Sequence, residues 1–480
     1  MLETWIKVMT FNLKSLLTQL IIFFSSIAVT IILFSDPTLP PTRDYLPFLP
    51  MVFAFGCIVF INIYSYIYKN IAITIIVFTY YIRLVITPFF MKFSNYQRSE
   101  IAANVDNTFN TAITLMIFEY FLVFLILSVF GKKFCLPADN VEVSKKLELP
   151  DKSYKTARLL LIFLSIFILA CVLVYPDILN NYKFFVFLSE EQSINWYRNY
   201  NLAKENVPIF IFYISTWAIN IVKNIWILVL ILNLRKRGAK KIHLFISITI
   251  IILNALISSG DTAYSLYFSL AFLIVLTYLY PNRKRIITLF TSLLVLIVAV
   301  LGLLSLSLAS SENSSGALFN ISNTLQAYFN GPVNVAAALM INKVNTYSLI
   351  IADFFTSLPL LRTFFTHMIN STALFNGIMY GSNGAGGQIL PSVGLGKLYF
   401  GFILAPLFSC IFTYQSMRYG SKFSQETRLP YKFLYQFISI ILACIPVLYN
   451  YYIFLIGLFT YILPTWIIIV FMTKRITYKS

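Results

Sequence analysis

In the segment 176–208, Tyr182, Phe184, Phe185, Phe187, Trp196, Tyr197 and Tyr200 are interleaved with Glu190, Glu191 and Arg198. That mixture suits sugar binding, because an aromatic face packs on the C–H surface of a pyranose while carboxylates and amides take its hydroxyls. The same rings also suit a belt at a membrane interface, and the residue types leave both readings open. Asp261 ends the short connector 258–261, one residue before an apolar run. It fits either an N-cap or a general base or hydroxyl ligand. Further on, Arg362 and His367 within a long polar stretch, and Lys397 just after it, are the notable polar groups. A lone histidine there is either a structural hydrogen-bond donor or a catalyst.

That stretch, 309–396, is the long polar excursion of the chain. It carries QAYFNGP at 326–332, a broken apolar run at 348–365 and GSNGAGGQILPSVGLG at 381–396. Gly384, Gly386, Gly387, Gly394 and Gly396, with Pro391 among them, oppose a helix, so irregular backbone is expected over 381–396. Irregular backbone beside membrane spans requires burial by protein or a wet cavity, and such a cavity would handle a polar substrate. The run 348–361 is too short to span and is broken at Pro359, which predicts a re-entrant or surface-lying helix.

The elements that must position these groups follow from composition. With 59% hydrophobic, 17% aromatic and 11% charged residues, the chain is not a soluble globular protein. It reads as a single all-α polytopic membrane domain over 1–480. Twelve transmembrane helices are predicted at 15–35, 46–68, 70–91, 111–131, 157–176, 208–233, 242–259, 262–280, 286–308, 398–417, 433–449 and 452–473. The first apolar run is expected to be a retained span, not a cleaved signal. Cys57, Cys171, Cys410 and Cys444 fall within spans and Cys135 in a loop, so no disulfide is expected outside the cell.

Most of the 36 Lys and Arg, including RKRGAKK at 235–241 and Arg283–Arg285, fall on the side of the two termini. Positive-inside bias therefore predicts a cytoplasmic (inner) membrane protein with both termini cytoplasmic and with 176–208 and 309–396 outside. The net charge of +18 then meets anionic lipid headgroups, not nucleic acid. Two ionisable residues, Arg83 and Glu119, lie inside predicted spans. Either they pair across neighbouring helices or they contact a substrate.

YFNGP, the stretch ILPSVGLGKLYFGF entering a late span, the Gly-led mid-chain connector and the overall layout resemble Wzy-type oligosaccharide repeat-unit polymerases. These membrane enzymes join lipid-linked repeats of O-antigen, capsule or related polysaccharides. The resemblance implies transfer of a glycan from a polyprenyl diphosphate to a hydroxyl on the next lipid-linked repeat. It would place Arg198 and Arg362 on the diphosphate, Asp261 or His367 as base, and Trp196, Tyr328 and Asn330 on sugar, with Gly331 and Lys397 beside them. It also implies membrane lipid, a flippase and a chain-length regulator as partners, and no cofactor or metal. The chain reads Gly260, Asp261, Thr262, Ala263 where many members have an arginine just after the glycine, so a diphosphate contact would have to come from Arg198, Arg362 or Lys397. An O-antigen-ligase-like transferase and a lipid-linked oligosaccharide flippase are the competing readings. No internal repeat of the kind common in transporters is visible.

Overall fold

The computed structural model of the chain describes residues 13–98, 101, 104–135, 154–184, 190–238, 240–258, 262–293, 316–341, 345–358, 361, 364–365, 367–381 and 388–473. It is nearly all helix. Among the described residues the strands form one short antiparallel ladder, Lys183 opposite Ser258 and Phe184 opposite Ile257.

Six helices among the described residues are long and apolar enough to cross a membrane: Leu13–Phe34, Ile71–Ser94, Asp106–Phe134, Ile209–Lys236, Leu429–Leu448 and Tyr451–Thr473. A seventh arises if Tyr264–Leu279 and Pro281–Leu293, which meet at 112°, form one broken span. Lys241–Leu256 is apolar but shorter than the roughly 20 residues that cross a bilayer unaided, whereas Tyr154–Val174 reaches 21 residues with its apolar part at Arg158–Val174. Along the helix Tyr154–Val174, Leu159, Phe163, Ile166 and Leu173 are all more than 60% exposed, at helical spacing. A continuous apolar face of that kind is stable against lipid and costly against water.

Buried apolar side chains form two main clusters. One contains Leu33, Phe53, Ile76, Ile113, Phe124 and Ala336. The other contains Ile225, Ile251, Phe268, Phe272, Phe437 and Ile469. Phe408, Leu448 and Tyr451 pack against both, so the late helices join the two halves.

Two spans carry a widened turn just before a proline. A π-turn at Ile82–Ile86 is followed by Pro88, and a second at Leu458–Ile462 is followed by Pro464. Proline lacks the N–H that would close the helical bond to the carbonyl four residues back, and the widened turn absorbs that defect. The predicted span 46–68 is split at Phe60 into Phe48–Val59 and Ile61–Tyr64.

Two expectations over 381–417 need correction. Gly394 and Gly396 lie inside a helix, Ser392–Phe400, with Pro391 as its N-cap residue. Glycine serves close packing there. A Cβ on Gly394 would lie 2.7 Å from the Ala338 Cβ, and one on Gly396 would lie 2.0 Å from the Ala405 carbonyl oxygen. Small residues let backbones approach in this way. The predicted span 398–417 is also interrupted. The helix stops at Gly401, whose φ of 79° ends it, and the chain turns through 402–406 before Leu407–Gln425 begins.

The polar stretch supplies core as well as surface. Every residue of the helix Pro332–Leu339 is buried, and it packs against Asp106–Phe134. The run at 348–361 overlaps the helix Thr346–Ser357, capped by the Asn345 side chain on the Tyr347 and Ser348 amides.

Candidate functional site

A charged pair lies at the centre of the first half. Arg83 enters from the π-turn and donates through Nη1 to Glu119 Oε2 at 2.7 Å, and neither side chain has any solvent exposure. Of the two readings of these residues, the structure realises the pair. The Arg83 Nε donates to the Asn330 carbonyl at 3.0 Å. The other Glu119 oxygen accepts from Ser409, which also lies 3.3 Å from the Ser392 hydroxyl. Burying two charges is costly unless they are paired, and each partner here makes a further hydrogen bond, while Arg83 Nη2 finds no acceptor among the described residues. The pair thereby ties together the Ile71–Ser94, Asp106–Phe134 and Leu407–Gln425 helices and the NGP turn.

That turn is built by local chemistry. Asn330 has a left-handed φ of 47°, and its amide donates to the Val447 carbonyl at 2.8 Å. The Gly331 N–H donates to the Gln326 carbonyl at 2.9 Å, and a Cβ there would lie 3.0 Å from the Gln326 Cα. Pro332 then opens the next helix, where its missing N–H costs nothing. Asn330 is 1% exposed, whereas Tyr328 just before it is 71% exposed. Lys397 Nζ lies 3.5 Å from the Leu339 carbonyl, on the helix that also carries Ser392.

A second group stands on the segment 176–206. After the 3-10 turn Pro176–Asn181 and the strand Lys183–Phe184, the helix Glu190–Asn206 carries Trp196, Arg198, Tyr200 and Lys204. The four-residue spacing of Trp196, Tyr200 and Lys204 puts them on one face. Trp196 and Tyr200 stack at 5.1 Å with 16° between their planes. The Lys183 ammonium sits over the Trp196 ring at 4.2 Å and that of Lys204 over Tyr200 at 4.1 Å. Burial draws the Lys183 ammonium below the ordinary lysine value. Arg198 is exposed. Ile178, Ala203, Val207 and Phe212 form a small core beneath, which holds this helix on the start of Ile209–Lys236.

The ladder joins the platform to the mid-chain connector, since Ile257 and Ser258 belong to the strand facing Lys183 and Phe184. Asp261 itself lies outside the described residues, as do Arg362, Phe185, Phe187, Gly384, Gly386 and Gly387. His367 is exposed, with its ring 6.3 Å from that of Phe365. Asn330 and Gly331 pack with the Arg83–Glu119 centre, Lys397 stands on the helix that carries Ser392, and Trp196 and Arg198 belong to the platform, while Tyr328 and His367 are exposed.

Polar groups that sequence reasoning passed over complete the picture. Arg98 Nη1 donates to Asn334 Oδ1 at 2.6 Å, both buried. Asp353 is fully buried, accepting from the Ser371 amide at 2.7 Å and from the Tyr399 hydroxyl. Burial raises its carboxyl above the ordinary range, against the opposing pull of those two donors. The signal available for Asp353 was the one that flagged Arg83 and Glu119, an ionisable residue within an apolar run.

The helices and the paired charges inside them define a multi-pass helical membrane protein. No protein-family model, no curated protein and no solved structure matches the chain.

Proposed function

We propose that the chain is a metal-independent glycosyltransferase that polymerises polyprenyl-diphosphate-linked oligosaccharide repeat units on the outer face of the cytoplasmic membrane. In this reading twelve spans leave both termini in the cytoplasm, and the segments 176–208 and 309–396 face outward. The observation that carries it is the platform: Lys183 and Lys204 sit over the Trp196–Tyr200 stack on a short helix anchored to a span, and the same helix exposes Arg198. Clustered cations neutralise a departing diphosphate, with arginine matching phosphate oxygens through two parallel donors. Aromatic rings offer a surface to sugar C–H groups.

In the transfer, the bond from the glycan's anomeric carbon to the diphosphate breaks and the diphosphate leaves on its lipid. An acceptor hydroxyl bonds to that carbon and gives its proton to a base, Asp261 or His367. Arg362 joins Arg198 at the diphosphate, and Tyr328 and Trp196 meet the sugar. A flippase supplies the substrate and a chain-length regulator acts on the product.

Deleting the gene in its host and analysing surface glycan tests this reading. Surface material reduced to single repeat units is the expected result. Full-length polymer retained on its lipid carrier would point to a ligase, and loss of externally exposed lipid-linked repeat to a flippase; either would overturn the polymerase reading.

A further inference from the structure

Away from both groups, a cavity of about 520 Å³ lies beside the ends of three helices. Its rim is Arg158 from the second turn of the helix Tyr154–Val174, with Asn233, Lys236 and Arg237 from the end of Ile209–Lys236. All four are exposed. Its floor is Leu161, Trp226, Val229 and Met472, of which Leu161 and Met472 are almost fully buried. The Trp226 indole N–H donates to the Ser165 hydroxyl at 3.1 Å, which fixes the ring in the wall. Among the described residues, three cations and no carboxylate line the cavity.

We propose that this cavity holds the phosphate headgroup and the first part of an acyl chain of an anionic glycerophospholipid. Position, charge and shape support one another. Ile209–Lys236 has 28 residues, about 42 Å at the helical rise, which exceeds the roughly 30 Å hydrocarbon core. Its terminal cations therefore stand at headgroup depth. A phosphodiester between Arg158 and Arg237 meets guanidinium donors, and basic pockets between spans on the cytoplasmic side attract anionic lipid. On the helix Tyr154–Val174, which supplies Arg158 and Leu161 to the cavity, Leu159 and Phe163 are 67% and 68% exposed, an apolar surface suited to lipid. Free phosphate would use the rim and leave that floor wet. This lipid site does not depend on the glycan chemistry proposed above.

The test uses the full chain, purified in detergent and stripped of lipid, with bound lipid counted by native mass spectrometry during titration. The probes are phosphatidylglycerol, phosphatidylcholine and inorganic phosphate. Arg158→Gln combined with Arg237→Gln is compared with Lys284→Gln combined with Arg285→Gln, an equal charge change at exposed positions that do not line the cavity. Wild type and the control pair are expected to hold phosphatidylglycerol alike. The cavity pair should bind it on the order of ten-fold more weakly. Phosphatidylcholine should not be retained, and inorganic phosphate should not displace the bound lipid. Equal affinity in the cavity pair, an equal loss in the control pair, retention of phosphatidylcholine, or displacement by phosphate would each overturn the assignment.

Discussion

Arg83 and Glu119 meet at 2.7 Å with no solvent exposure on either side chain, and the Arg83 Nε also holds the carbonyl of Asn330. One residue pair therefore anchors both the bundle and the turn of the YFNGP motif. Removing one partner strands the other as a buried charge, a loss of about 3–5 kcal/mol where such pairs have been broken. Arg83→Met and Glu119→Gln should each lower the thermal midpoint of the detergent-solubilised protein sharply. The double exchange Arg83→Met/Glu119→Gln should fall less than the two losses added together. Single variants that melt like wild type would refute this role.

The glycines of the late polar stretch have opposite expectations according to what surrounds them. Gly396→Ala places a methyl group 2.0 Å from the Ala405 carbonyl, a backbone atom that cannot turn aside. The exchange should cost about 1–3 kcal/mol through forced displacement. Gly377, within the helix Ser371–Tyr380, has nothing within 4 Å of the new methyl. Gly377→Ala should be neutral or stabilising by up to about 1 kcal/mol, because alanine loses less backbone freedom. Thermal melting of the two variants side by side decides the point.

Asp36 gives the fold an acid-sensitive latch. It accepts from the Tyr96 hydroxyl and the Thr38 amide and pairs with Lys92 at 3.2 Å, joining the end of the first span to the end of Ile71–Ser94. The Tyr96 hydrogen bond, foremost among these, holds the carboxyl well below the usual carboxylate range. The folded pKa is thus below the unfolded one. The resulting stability is present above the ordinary carboxylate pKa of about 3.9 and is lost as pH falls below it. Melting curves of wild type should decline across that window. Asp36→Asn should be less stable at neutral pH and show a smaller decline.

Arg198 is exposed and its helix rests on apolar contacts made by other residues, so Arg198→Ala should leave insertion and melting unchanged. Under the proposed chemistry the same exchange abolishes long-chain glycan, as does Arg362→Ala. Immunoblots for inserted protein, run beside gels of the glycan, separate these effects. Normal chain length in both variants would remove the two arginines from the site.

The helical membrane class was legible in the amino-acid sequence because a bilayer demands long apolar runs, and those runs need no tertiary partner to be recognised. The spans predicted at 208–233, 433–449 and 452–473 match Ile209–Lys236, Leu429–Leu448 and Tyr451–Thr473 closely. The pairing of Arg83 with Glu119 was among the expectations for the same reason, since opposite charges in neighbouring apolar spans have few other ways to be accommodated. Tertiary structure alone decided that Gly394 and Gly396 are helical, that Asn330 is buried beneath Arg83, and that 183–184 pairs with 257–258. Each of these rests on a contact between residues far apart in the chain, and a glycine that loosens a loop reads the same as one that admits a neighbouring backbone. Sequence periodicity records which way a side chain faces; what it meets there is set only when the helices pack.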